Sequence, residues 1–328
     1  MPRLSKSVWA EIIGRYQNGE LATSLAREFG CSGVAVSAML KRKGVSAHDT
    51  SYVYRTAAGH ILNEMAFDVL TPDAAYWIGF LMADGSVTDG NTIALVLSEK
   101  DTSHLEKFKQ FLGASNKIIT GIINRYSTNC KESMGARFAV RSKNLCKVLN
   151  KYGVTQNKSA TARASEQIAE NRDFWRGVVD GDGYIALQYR RSYFNAHPRI
   201  NAWSKPRVDA RLELVGSEPL LNQFKTFVES IIPSADITVR PHKNIFRVGL
   251  GGKTAEILIA TLYNDASEGL DRKVNAAKNI LSFATAGEAG INARGLGKNL
   301  SDHVSGTKVE TRTEPEKFIE AACLERAA

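Results

Sequence analysis

Two aspartates, set in matching surroundings, offer the chemistry in this chain. Asp84 lies in Ala75-Tyr-Trp-Ile-Gly-Phe-Leu-Met-Ala-Asp-Gly-Ser86, and Asp182 lies in Asp173-Phe-Trp-Arg-Gly-Val-Val-Asp-Gly-Asp-Gly-Tyr184. Each stretch reads as a short apolar helix ending in Asp-Gly. Each carries small residues one turn apart, Gly79 and Ala83 in the first, Gly177 and Gly181 in the second. Small residues at that spacing leave a flat strip on which two helix backbones can approach closely, a steric rule best known from membrane helices. Pairing the helices brings both carboxylates together at their C-terminal ends. There the helix dipole disfavours each negative charge by about 0.3–1 kcal/mol. Such a pair becomes sensible around cations, since Mg²⁺ takes a few carboxylates together with water and phosphate oxygens. An Asp-Gly β-turn after a helix accounts for one copy, but not for its recurrence in similar surroundings.

The first helix has a clear start at Thr71, an N-cap residue followed by Pro72, and a stop at Gly85. Trp77-Ile-Gly-Phe-Leu-Met-Ala-Asp-Gly85 and Trp175-Arg-Gly-Val-Val-Asp-Gly-Asp-Gly183 resemble the two motifs of a single-chain LAGLIDADG homing endonuclease. The family's metal-binding acid is the eighth letter, which falls on Asp84 and Asp182. The sixth letter is Asp180 in the second copy and Met82 in the first, so the halves are unequal. The resemblance implies an α+β fold in which duplicated αββαββα units form a pseudo-two-fold saddle. It implies a metal-dependent DNA endonuclease that hydrolyses both strands of a long double-stranded target, as in intron homing, and leaves 3′ overhangs. It also implies two or three Mg²⁺ ions between the paired acids, held with help from the backbone carbonyls of Ala83 and Gly181.

Composition agrees with such a partner. The 328 residues carry a formal charge of +9 and a pI near 9.3, which favours a polyanion, nucleic acid before membrane. Cys31, Cys130, Cys146 and Cys323 lack Cys-x-x-Cys spacing, so neither a zinc site nor a disulfide framework is indicated. No stretch approaches the roughly 18 apolar residues of a membrane span. A soluble, cytoplasmic monomer is the expectation, with no signal peptide and no membrane partner.

Residues 1–48 read as a small all-α helix-turn-helix domain, with helices over 8–19, 20–30 and 33–43 and a turn at Cys31 and Ser32. The last helix is the expected major-groove reader. Ser32, Val34, Ser37 and Lys41 are its outward candidates, and Lys41, Arg42 and Lys43 its phosphate contacts. A three-helix bundle with a solvated basic end is the alternative. Residues 49–70 read as a linker becoming helical near Ile61, in which Tyr52, Tyr54 and Arg55 either lie along DNA or pack on the next domain.

The first LAGLIDADG unit is expected over 71–165. It contains a strand at 92–98, a helix at 101–113, a hairpin of 117–124 with 136–141, and a helix at 145–152. The second unit, 166–284, repeats that order: strands 184–189 and 211–215, helix 219–231, strands 236–240 and 246–250, helix 254–264. An order that occurs twice is a second argument for duplication. The glycine-broken tail, 285–328, is expected to be flexible, with 314–326 its one candidate helix.

Hydrolysis of a phosphodiester needs an activated water and charge stabilisation on the phosphoryl group, and metal ions supply both. Rough alignment of the second hairpins nominates Lys143 and Lys253 as catalytic lysines, with Lys158 and Lys273 as rivals. DNA contacts are expected from Arg190, Arg191, Arg199, Lys205, Arg207 and Arg211, interleaved with Tyr189, Tyr193, Phe194 and Trp203. Arg240, His242, Lys243 and Arg247 mark the second hairpin of that half. Guanidinium groups either hold phosphates or read guanine. Two other readings fit the same scaffold: a DNA-binding regulator that no longer cuts, and an RNA-splicing maturase.

Overall fold

The structure is a computed structural model that describes residues 4–88, 91–122, 134–190 and 207–288. It opens with three helices, α1 (Lys6–Gln17), α2 (Ala22–Glu28) and α3 (Gly33–Arg42). These enclose a small core of their own around Ile12, Tyr16, Leu25, Ala26, Val36 and Leu40. Ser5 and Ser32 cap α1 and α3 by accepting a hydrogen bond from the backbone N–H three residues on.

A further helix, α4 (Thr50–Ala57), occupies the stretch expected to be a linker, with Asp49 as its N-cap. The apolar run at Ile61 is not helical; turns occupy residues 64–68 instead. Of the residues left open in sequence, Tyr52 and Arg55 point into protein. The Tyr52 hydroxyl donates to the carbonyl of Gly19 at 2.6 Å. Arg55 is buried, pairs with Glu64 at 2.9 Å and donates to the carbonyl of Arg141. Tyr54 remains 64 % exposed, with the Arg141 guanidinium 5.4 Å above its ring.

The rest is two successive units of the same element order. The first runs α5 (Pro72–Ala83), β1 (Gly85–Val87), β2 (Thr92–Ser98), α6 (Thr102–Phe111), β3 (Ile119–Ile122), β4 (Met134–Arg141) and α7 (Lys143–Lys151). After a short helix, α8 (Glu166–Ala169), the second runs α9 (Arg172–Asp182), β5 (Gly183–Arg190), β6 (Arg207–Gly216), α10 (Glu218–Ile231), β7 (Arg240–His242), β8 (Ile245–Gly251) and α11 (Gly252–Tyr263). The chain continues into α12 (Asp271–Glu288), an element not expected from sequence. The sheets are both antiparallel and share one order, β1-β2-β4-β3 and β5-β6-β8-β7. The register pairs Leu95 with Phe138 in one and Leu212 with Leu250 in the other, so the alternation of each strand turns its apolar set to one face. Pairing of β7 with β8 is confined to Arg240–His242; the expected strand at 236–240 largely stays out of the ladder.

The motif helices α5 and α9 lie side by side at the centre of a single core that contains residues from both units. A Cβ added at Gly79 would overlap the carbonyl of Phe174, and one at Gly177 would overlap the carbonyl of Tyr76. Glycine at these two positions is what permits the backbones to touch. The link after each unit's last helix then crosses to the other unit. In the first link, Ala164 exchanges two hydrogen bonds, both 2.9 Å, with the side chain of Gln223 on α10. The Ser217 hydroxyl donates to the carbonyl of Ala162. In the second crossing, Lys107 on α6 donates to the carbonyl of Gly269 at 3.0 Å and pairs with Asp271 at 2.8 Å. Each unit is therefore strapped to its neighbour.

Candidate functional site

The glycine contacts of α5 and α9 continue to their C-terminal ends, where the two acids stand. Asp84 is the C-cap of α5, and Asp182 is the last residue of α9. Beside Asp84 lies Gly181, where an added Cβ would be 3.2 Å from Asp84 Oδ2 and would overlap the Ala83 Cβ. Both acids are partly exposed, whereas Ala83 is buried. Two helix C-termini, each with carbonyls lacking helical partners, and two carboxylates are thus concentrated in one place. The carboxylates and helix-end carbonyls of such a place are oxygen acceptors, and the field of the two helix ends favours a cation.

Two buried lysines flank the acids in matching positions. Lys158, in a short turn that follows left-handed Asn157, donates to the carbonyl of Gly85, the residue after Asp84. Lys273, in the first turn of α12, donates to the carbonyl of Gly183, the residue after Asp182, and to that of Val179 at 3.2 Å. Burial lowers the Lys273 ammonium to about 8, with the charge of Arg272 acting in the same direction. Asp180, Asp84 and Asp182 oppose that shift. Both motif acids therefore act electrostatically on one ammonium group. Lys143 and Lys253, favoured by the hairpin alignment, stand exposed in the first turns of α7 and α11. Lys253 lies 3.5 Å from Glu256. That alignment matched strand ends, but the lysines against the acid-bearing segments come from the crossing links, which carry no periodic signal.

Asp180, the sixth letter of the second motif, is fully buried. Its carboxylate accepts from the hydroxyls of Tyr76 (2.8 Å) and Tyr263 (2.5 Å) and from the backbone N–H of Leu270 (2.7 Å). Burial raises its pKa in spite of those donors. Since the Tyr76 proton is committed to Asp180, the His104 Nε2, 2.9 Å from the Tyr76 oxygen, is the donor of that pair. His104 Nδ1 has no partner among the described residues, and burial holds the ring's pKa down to about 3. Arg176, also fully buried, bonds Asp173 at 2.5 Å and the carbonyl of Glu268 at 2.8 Å. Met82 and Ile78, the first-copy counterparts of Asp180 and Arg176, are plain core residues. The sequence displays Asp180 and Arg176; their partners come from α5, α11 and the link to α12, which spacing does not reveal.

The donor set suits a hard divalent ion. Asp84, Asp182 and the carbonyls of Ala83 and Gly181 offer oxygen alone, and Mg²⁺ accepts one or two carboxylates with its remaining positions on water and phosphate. Among the described residues, no three His, Cys, Asp or Glu side chains gather as a closed metal cluster. An ion here would accordingly keep open positions.

The described candidate DNA contacts lie on the second sheet and on α3. Arg211, Arg240 and Arg247 lie on β6, β7 and β8. Arg211 is held across Gly249 by Glu213, which it contacts at 2.6 Å, and Arg247 lies 3.8 Å from Glu213. Lys243 is exposed at the tip of the β7–β8 turn with a positive φ of 50°. Arg190 and Arg207 end the facing strands β5 and β6 and pair in register. Arg191, Arg199 and Lys205, with Tyr193, Phe194 and Trp203, lie outside the described residues, as does the helix expected at 314–326. On α3, Val34, Ser37, Ala38 and Lys41 form an exposed stripe, and Arg42 and Lys43 are exposed at its end. The Ser32 hydroxyl is used as a cap, accepting from the N–H of Ala35 at 3.1 Å. Among the described residues no helix is long and apolar enough to cross a membrane.

No family model matches the chain, and no curated protein does. Solved structures resemble it. The meganuclease I-SmaMI bound to uncleaveable DNA is 14 % identical, with a TM-score of 0.49 over 74 % of this chain and 98 % of that one. The LAGLIDADG meganuclease I-AabMI bound to uncleaved DNA is 13 % identical, with a TM-score of 0.45 over 67 % of this chain and 92 % of that one. The I-LtrWI LAGLIDADG homing endonuclease bound to target DNA is 15 % identical, with a TM-score of 0.43 over 73 % and 97 %.

Proposed function

We propose that the chain is a site-specific, metal-dependent DNA endonuclease of the homing type, acting as a monomer on a long duplex and leaving 3′ overhangs. The observation that carries this reading is the meeting of Asp84 and Asp182 at the touching ends of two helices. A fold gains no stability from gathering two acids at two helix C-termini, so a bound cation is the economical explanation. Asp84 and Asp182, with the carbonyls of Ala83 and Gly181, hold the ions, for which Mg²⁺ is the fitting species. When bound, such ions lower the pKa of a coordinated water and offset charge on the phosphoryl group.

The chain's own groups do the rest. Lys158 and Lys273 each donate to the carbonyl of the residue after one acid, which sets a cationic group behind each carboxylate to offset charge on a phosphate oxygen. They replace Lys143 and Lys253 as the proposed catalytic lysines. Strands β1 and β5 leave directly from the acids, so the outer faces of the two sheets continue the site along a duplex that bends over a saddle. Arg240, Lys243 and Arg247 extend the positive surface of the second half. The unit over 1–48 acts as a helix-turn-helix that lays the Val34–Lys41 face of α3 in the major groove.

The test is incubation of the full chain with a genomic library, with Mg²⁺ or with EDTA, followed by sequencing of the broken ends. Breaks at one long sequence, with 3′ overhangs and only with Mg²⁺, are expected. Binding without breakage under both conditions would identify a regulator instead.

A further inference from the structure

Helix α4 and the residues before it join the N-terminal helices to the first sheet through side chains on both sides. Towards the helices, the His48 backbone N–H donates to the Tyr16 hydroxyl at 2.7 Å, and the two rings stack with centroids 4.2 Å apart. Tyr52 packs against the same imidazole at 4.5 Å and donates to the carbonyl of Gly19. Towards the sheet, buried Arg55 donates to the carbonyl of Arg141 at the end of β4 and pairs with Glu64. Glu64 also accepts from the Ser142 hydroxyl at 2.5 Å, and its carbonyl accepts from the Asn144 side chain at 2.9 Å. A buried guanidinium shared between a carboxylate and a carbonyl holds one geometry, because leaving it uncompensated is costly. The N-terminal unit is therefore fixed to the sheet, not tethered to it.

The register shows where it is fixed. Gly85, next to Asp84, pairs with Leu95, whereas Arg141 pairs with Thr92. Thr92 lies three residues further from the acid, about 10 Å along the strand. Arg141 is exposed there, with its guanidinium over the exposed Tyr54 ring of α4. At the matching corner of the second unit, the place of Ser142, the N-cap of α7, is taken by Gly251, the N-cap of α11, which has no side chain to offer. Resting on the proposed function, we infer that the N-terminal unit extends the DNA contact beyond one half of the target alone. That half is the one on the first sheet, and the extension keeps a fixed spacing from the cut. The partner it fits is the duplex flanking that half, since Lys41, Arg42 and Lys43 are exposed on the unit. The Arg141–Tyr54 pair holds a phosphate at the seam: an arginine stacked on an aromatic face keeps its edge donors for an anion.

The experiment is hydroxyl-radical footprinting of the full chain in Ca²⁺ on a duplex selected from a randomised pool. Protection is expected to run about one helical turn, roughly 10 base pairs, further on one side of the cut than on the other. Arg137→Ala on the first sheet and Arg247→Ala on the second, each weakening protection on its own side, identify the two ends. Lys41→Glu, Arg42→Glu and Lys43→Glu combined should erase the extra protection at the Arg137 end and weaken binding roughly tenfold. Arg141→Ala should reduce the slope of log affinity against log salt by about 1. Five base pairs inserted between the flank and the half-site turn the flank by about half a turn and should abolish its protection. Equal protection on both sides, an extension at the Arg247 end, or one that survives the insertion overturns the inference and leaves the endonuclease reading standing. An unchanged salt slope overturns the seam contact. Failure to enrich any duplex overturns the DNA reading itself.

Discussion

The first motif helix buries no charged side chain between Ala74 and Ala83, its one hydrogen-bonded side chain there being Tyr76, whereas the second buries Asp173, Arg176 and Asp180. The two perform the same positioning task by different means. Helix α5 is placed mostly by shape, through glycine contacts and aromatic neighbours such as Trp77 and Phe108, whose rings lie 4.9 Å apart, and enters the polar network only through the Tyr76 hydroxyl. Helix α9 is placed by shape and also by a network that binds it to α11 and to the link before α12. Hydrophobic packing tolerates small changes of volume, but a buried polar network fails when one member is removed. The second half therefore has the better-defined site and the more fragile one. The straps differ in the same sense: the first is neutral, through Gln223 and Ser217, and the second is charged, through Lys107 and Asp271.

The largest expected effect breaks what the halves share. Gly177→Leu inserts a side chain where the backbone of Tyr76 already stands. It should cost about 3 kcal/mol or more, above the usual range for overpacking, because a backbone has no rotamer to give way. Urea unfolding that stays at the wild-type midpoint would show that the helices do not touch. Next is the contrast at the sixth motif position. Asp180→Leu strands two tyrosine hydroxyls and the Leu270 N–H and should lower stability by roughly 3 kcal/mol or more. Met82→Leu should cost less than about 1.5 kcal/mol. Equal losses would erase the asymmetry between the halves.

A smaller effect concerns acid. The buried His104 ring has a pKa of about 3, below its ordinary 6.5, so as pH falls the unfolded chain takes up this proton first. Its contribution to stability is intact above about pH 6.5 and is lost as pH falls from there towards 3. Asp180, pushed upward by burial, works in the opposite sense at the acid end. The His104 share is read as the difference between wild type and His104→Gln, which retains a donor for Tyr76 but does not titrate. Parallel stability curves for the two proteins between pH 6.5 and 4 would remove His104 from the network.

Much of this was legible in the sequence where a local rule governs. Thr71, Pro72 and the glycines of the motifs mark the helices and their contact strip, and strand alternation gives the two sheets. What was not legible depends on contacts distant along the chain. The crossing links at 153–165 and 264–270 are short, polar and without period, so nothing in them announces that Lys158 and Lys273 come to rest behind the acids. Helix α4 was concealed because its helical character depends on Tyr52 and Arg55 meeting other elements. Residues 236–239 alternate like a strand, and Ile237 is buried, yet ladder formation begins only at Arg240.

The most direct test is cleavage of a target-bearing plasmid by Asp84→Asn and Asp182→Asn, with binding followed in Ca²⁺. Acids that meet at the ends of α5 and α9 to hold shared cations predict that each variant loses double-strand cutting while binding is largely kept. Full breaks at the wild-type rate by either variant would contradict that role for the acid it lacks.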